Sequence, residues 1–203
     1  ERLRLHKTPY CASFTRAVRG VDVLEQFFMN NYDVKVVGKG AEDGRVDTSR
    51  AAVVGGSYGG YMVNAVLALY PDAFDAGASL FGVGNWVTAL QVASPGLKAS
   101  DRIEYGDIRE QEWIDYYTEN SPVTLADQIK VPVLYSHGVQ DPRIDIYETE
   151  IMVKTLRENG IETPYVRIPD EGHGWRKLKN QLFYFRRQAE FLEEQLMGDA
   201  DAE

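Results

Sequence analysis

From residue 50 onward, short apolar runs bounded by Gly, Pro or charged residues alternate with longer stretches of helical periodicity. Arg50-Ala51-Ala52-Val53-Val54 is the first run, followed by Ala78 to Phe81, then Val131-Pro132-Val133-Leu134-Tyr135-Ser136, then Thr163 to Pro169. Runs this short, bracketed by turn residues, read as buried strands. Between them, Tyr61 to Tyr70 is an apolar helix stopped by Pro71, and Ile146 to Asn159 reads as a second helix. Leu178, Leu182, Phe185, Ala189, Leu192 and Leu196 recur at spacings of four and three. That pattern is one apolar face of a long C-terminal helix, packed on the core. Gly198 ends it, and Asp199 to Glu203 reads as a frayed acidic tail. The alternation predicts an α/β fold, a mostly parallel sheet flanked by helices. Ahead of residue 50 only one helix, around Val18 to Asn31, is clear.

With 203 residues and 44% hydrophobic composition, the chain can bury one core, and residues 1–203 read as a single domain. The net charge of −9 argues against a nucleic-acid partner, since phosphate binding needs clustered Lys and Arg. Cys11 stands alone, so no internal disulfide is possible, which points to a reducing compartment. The charged stretch Glu1 to Tyr10 lacks the apolar core of a secretory leader, and no run approaches a membrane span. The expected location is cytoplasmic. Metal signatures are missing, the acidic loop Glu42 to Asp47 reads as a solvated turn, and no cofactor is expected.

The candidate chemistry sits at Gly55-Gly56-Ser57-Tyr58-Gly59-Gly60, between the first strand and the first helix. A G-x-S-x-G at a strand-to-helix turn projects its serine hydroxyl above the sheet, as in the nucleophile elbow of an α/β-hydrolase. Gly55 and Gly59 are expected to keep side chains out of the crowded junction. The reading needs an acid and then a histidine further along the chain. Asp141 follows the strand ending at Ser136, within His137-Gly138-Val139-Gln140-Asp141, and His173 lies between Gly172 and Gly174 after the last strand. Asp145 and Asp170 compete with Asp141, but Asp145 reads as a helix N-cap and Asp170 as a loop acid. His137 is the runner-up base, in the wrong order, and reads as a brace for the strand end. His6 lies in an unpatterned stretch. In the roles of a generic triad, Ser57 attacks a carbonyl, His173 moves the proton and Asp141 orients the imidazole. The backbone N–H of Tyr58 is one oxyanion donor.

These residues resemble the catalytic domain of the prolyl oligopeptidase family of serine peptidases. The matching stretches are Gly55 to Met62, Tyr105-Gly106-Asp107, Ser121-Pro122, Ile129 to Leu134, His137 to Arg143 and Glu171-Gly172-His173-Gly174, so the likeness runs from about Val21 to Leu196. The resemblance implies an α/β-hydrolase fold and a serine peptidase that cleaves short peptides through an acyl-enzyme. An esterase on the same scaffold is the near alternative, and a remnant domain with little activity the distant one. The chain departs from the family in offering few strands before the elbow and no His-Gly-Gly-type loop for a second oxyanion N–H. It therefore reads as truncated at its N-terminus. Beyond a peptide or small acyl substrate, the expected partner is a second copy of the chain or an upstream segment. Trp86, Tyr105, Trp113, Tyr116 and Tyr117 cluster after the second strand. They read first as core or interface and second as the lining of an apolar pocket.

Overall fold

A computed structural model describes residues 50–197. The helix expected at 18–31, the loop at 42–47, His6, Cys11 and the acidic tail lie outside the described residues, as do the side chains of residues 100, 101 and 103–105, Tyr105 included. Among the described residues, 50–101 and 107–197 form one compact unit. It holds four strands, β1 (Ala52–Gly56), β2 (Ala76–Leu80), β3 (Val133–Gly138) and β4 (Tyr165–Ile168), paired in parallel in the order β1-β2-β3-β4. The helices are α1 (Tyr58–Leu69), α2 (Trp86–Val92), α3 (Pro95–Tyr105), α4 (Gln111–Asn120), α5 (Ile146–Glu158) and α6 (Leu178–Met197). Consecutive parallel strands need crossover segments, which is why strand and helix patterns alternate along the chain.

Prolines set the strand boundaries. Pro132 has no N–H to give a ladder, so β3 opens at Val133, and Pro164 and Pro169 bracket β4. Every residue of β3 is buried, as befits a strand covered on both faces. On one face Ala76, Ala78 and Leu134 pack with Phe191 of α6, joined by Ala52, Val166 and Leu192. The small alanines of β2 leave room for the phenyl ring, whose burial stabilises the fold by about 1.5–3 kcal/mol. On the other face the Tyr135 hydroxyl hydrogen-bonds Asn64 of α1 at 2.7 Å, which satisfies two polar groups inside the core. Burial pushes the Tyr135 phenol well above its ordinary range.

The C-terminal helix is present, but only part of the expected stripe reaches the core: Leu192 packs on the Phe191 cluster, and the N-terminal half of the stripe does not. Leu178, Leu182 and Phe185 are 67%, 64% and 57% exposed, whereas Tyr184 and Phe191 are buried. The aliphatic spacing alone chose the stripe; the packed face is fixed by the Tyr184 ring against Trp175, 5.3 Å away, and by Phe191 over the alanines of β2. Among the described residues no helix is long and apolar enough to cross a membrane.

Candidate active site

β1 runs straight into Ser57, which sits at φ 59° and ψ −121° immediately before α1. A non-glycine residue in this region is strained by about 1–3 kcal/mol and is retained only where its surroundings over-determine it. Here the Ser57 amide donates to the Leu80 carbonyl at 2.9 Å, and the Ser57 carbonyl accepts from Tyr61 at 3.1 Å. A side chain at Gly55 would collide with the backbone carbonyl of Gly59, and one at Gly60 would stand 2.7 Å from the Leu80 carbonyl oxygen. The crowding thus falls on Gly55 and Gly60. A Cβ at Gly59, expected to be crowded, would meet open space, because the helix has already turned that position outward.

Three loops at the carboxyl ends of the parallel strands bring the predicted residues together. His173 Nε2 lies 2.8 Å from Ser57 Oγ, and His173 Nδ1 lies 2.7 Å from Asp141 Oδ2. An ionised carboxylate only accepts, so Nδ1 carries the proton and Nε2 faces the serine hydroxyl as acceptor. The Asp141 side chain is 1% exposed. Its Oδ1 accepts from the amides of Arg143 at 2.8 Å and Ile144 at 3.1 Å. Burial by itself would raise the carboxyl, but hydrogen bonds from His137, His173 and those two amides outweigh it and hold Asp141 well below the usual carboxylate range.

His137 has no contact with Ser57; it braces Asp141 from behind. The ring is fully buried, with Nδ1 2.7 Å from the Thr149 hydroxyl, Nε2 3.1 Å from the Ile144 carbonyl and 3.4 Å from Asp141 Oδ2. A carbonyl only accepts, so Nε2–H donates and Nδ1 accepts from Thr149. Asp145 caps α5 through the Tyr147 amide at 2.9 Å, as expected, and Asp170 binds Lys177 and Asn180 instead of His173.

Glu171 and Phe81 also shape the site, though the sequence named Glu171 only within the stretch to Gly174 and Phe81 only as a strand end. Buried Glu171 accepts from the amides of Arg176 and Lys177 and from Asn180, fixing the turn that carries His173. A Cβ at Gly138 would strike the carbonyl of Gly172, so the acid turn and the histidine loop pack backbone to backbone. Phe81, at φ 38°, lays its ring 4.7 Å from the His173 ring and 5.5 Å from Trp175, excluding water from one side of the imidazole. An apolar residue at a strand end gives no hint of this. Tyr58, which opens α1, begins an aromatic wall: its ring is 6.1 Å from Trp86, which meets Tyr61 at 5.0 Å and Tyr117 at 6.2 Å. Trp86 and Tyr117 are buried, in keeping with core packing, while Tyr58 is half-buried. Among the described residues no group of three or more His, Cys, Asp or Glu is placed to hold a metal ion.

A parallel sheet, a strained serine at a strand-to-helix turn and a histidine–aspartate pair over the strand ends define an α/β-hydrolase. The chain belongs to the prolyl oligopeptidase family, whose model matches residues 33–199. It is 35% identical over 163 residues to dipeptidyl aminopeptidase BIII of Pseudoxanthomonas mexicana, covering 79% of this chain and 24% of that protein. It is 32% identical over 161 residues to dipeptidyl peptidase family member 6 of Caenorhabditis elegans, covering 77% of this chain and 22% of the relative. Its fold is similar to that of an acylaminoacyl peptidase solved in complex with Z-Gly-Gly-Phe-chloromethyl ketone, with a TM-score of 0.70 and 26% identity, over 79% of this chain and 26% of that one. The chain therefore spans about a quarter of the length of these relatives.

Proposed function

We propose that this chain is a serine peptidase that cleaves short peptides through an acyl-enzyme. The observation that carries the proposal is the continuous hydrogen-bond chain from Ser57 Oγ through His173 to Asp141, at 2.8 and 2.7 Å. Ser57 Oγ attacks the scissile carbonyl carbon while its proton passes to His173 Nε2. The oxyanion develops beside the Tyr58 amide at the N-terminus of α1, where backbone dipoles favour negative charge. The imidazolium returns its proton to the departing amine, and water repeats the sequence to release the acid. Relatives named as dipeptidyl and acylaminoacyl peptidases support peptide bonds as the target. The half-buried Tyr58 ring, backed by buried Trp86 and Tyr61, suits a bulky apolar side chain next to the scissile bond.

The test is covalent labelling with a fluorophosphonate, followed by a panel of short peptides and matched esters. Wild type is expected to label at one site and to cleave peptides, and Ser57→Ala to do neither. Equal labelling of the two proteins would sink the assignment of Ser57, and hydrolysis of esters alone would sink the peptidase reading.

A further inference from the structure

Glu148 is fully buried in the first turn of α5 and has no ion-pair partner among the described residues. Such a carboxylate is rare, because removing a charge from water without a cation is costly. All of its side-chain hydrogen bonds cross to one turn, Gly84 to Thr88, which starts α2. Oε2 accepts from the amides of Gly84 at 3.2 Å and Asn85 at 2.7 Å, and Oε1 lies 2.6 Å from the Thr88 hydroxyl. That turn carries Trp86, whose ring contacts Tyr58 and Tyr61 beside the nucleophile.

We propose that Glu148 is a positioning residue that holds the Trp86 turn against Tyr58, and so sets the preference for substrates with a bulky apolar acyl side chain. The proposal rests on the peptidase reading above. The next residue, Thr149, hydrogen-bonds His137, which braces Asp141. One turn of α5 therefore fixes both the acid and the aromatic wall, which keeps the wall in register with the reacting atoms.

The Thr88 hydroxyl donates to Glu148 Oε1 at 2.6 Å and lies 3.2 Å from the Asn85 carbonyl, which already accepts the Ala89 amide at 3.0 Å. Burial pushes the Glu148 carboxyl up, opposed by the bonds from Thr88, Asn85 and Gly84, and the charge of Asp145 adds to the rise. A glutamine keeps an acceptor for both amides and sets its NH2 against the Thr88 oxygen, whose hydroxyl then turns to the Asn85 carbonyl, whereas alanine removes all three contacts.

The experiment uses protein labelled with fluorotryptophan, together with Glu148→Gln and Glu148→Ala, and assigns the Trp86 resonance by its loss in Trp86→Phe. Fluorine NMR reads the exposure of Trp86 to a dissolved paramagnetic agent, and kinetics give kcat and KM for phenylalanyl and alanyl amides. Glu148→Gln is expected to keep Trp86 shielded and the preference intact. Glu148→Ala is expected to expose Trp86 and to raise KM for the phenylalanyl substrate roughly tenfold to a hundredfold, with the alanyl substrate changed by less than about threefold. If Glu148→Ala does not fold, Glu148→Met takes its place, filling the volume without donors or acceptors. A shielded Trp86 in the alanine or methionine variant, an equal loss on both substrates, or a glutamine variant that behaves like alanine overturns the proposal. Wild-type protein that turns over neither substrate defeats the peptidase reading, and the fluorine readout then decides the role of Glu148 by itself.

Discussion

Replacing Asp141 with asparagine changes one atom, and the geometry around it says what must follow. Oδ1 is held by the amides of Arg143 and Ile144, at 2.8 and 3.1 Å, so the asparagine oxygen has to stay on that side. A flipped amide would set its own N–H groups against two N–H donors, at about 1–3 kcal/mol for each buried group left unpaired. The new NH2 therefore stands where Oδ2 stood, 2.7 Å from His173 Nδ1. Nδ1 must now accept, which moves the ring proton to Nε2, facing Ser57 Oγ at 2.8 Å. An imidazole that presents N–H to the serine cannot take its proton. Loss of the correct tautomer in a triad costs about 10⁴ in kcat, or roughly 5.5 kcal/mol of transition-state stabilisation. The assay is kcat/KM on a short peptide amide for wild type, Asp141→Asn and Asp141→Ala, with a thermal melt to show that each is folded. Asp141→Asn is expected to be at least as impaired as Asp141→Ala, because alanine leaves the ring free to choose its tautomer. A folded Asp141→Asn within about tenfold of wild type refutes this reasoning. So does greater damage from Asp145→Asn or Asp170→Asn.

Two further outcomes follow from the surroundings of the site. His137→Ala orphans the Thr149 hydroxyl and the Ile144 carbonyl, so denaturant unfolding should show a loss of about 2–5 kcal/mol. Turnover per phosphonate-labelled site should fall by roughly tenfold to a hundredfold as Asp141 loses its brace; unchanged turnover would confine His137 to a structural role. The exposed stripe Leu178, Leu182 and Phe185 on α6 should drive concentration-dependent association, visible by light scattering and relieved by Leu182→Glu with Phe185→Glu. A wild-type protein that scatters as a monomer at every concentration overturns that expectation.

The parallel sheet and the three site residues were legible because each is written locally. Strands end in turn residues, Ser57 sits in a glycine-rich elbow, and Asp141 and His173 each follow a buried run by a few positions. Chain order then separated His173 from His137 and Asp141 from its rivals. What was not legible is set by three-dimensional neighbours. Gly60, rather than Gly59, meets the end of β2, a contact between helix and strand that the motif does not encode. The packed face of α6 depends on room left by Ala76 and Ala78, about a hundred residues upstream. Glu148 reads as an ordinary acidic residue in the first turn of a helix, where the dipole favours it. Only the fold shows that it faces inward, toward Gly84 and Asn85.

The arrangement also explains how a strained serine is tolerated. The positive-φ backbone at Ser57 costs about 1–3 kcal/mol. The compensation lies in α1 just beyond, whose residues Tyr61 to Ala68 are buried and whose Asn64 anchors to Tyr135 of β3. Burying even two of those aliphatic side chains, at about 1.5–3 kcal/mol each, exceeds the strain. The docking of α1 therefore holds Ser57 in place, with the amide of Ser57 tied to Leu80 at the end of β2. The same strand continues into Phe81, packed on His173, so one strand end steadies both Ser57 and the imidazole. The proposed acid, base and nucleophile, Asp141, His173 and Ser57, thus come from loops after β3, β4 and β1, all at the carboxyl edge of a sheet whose parallel order leaves them no other side to occupy.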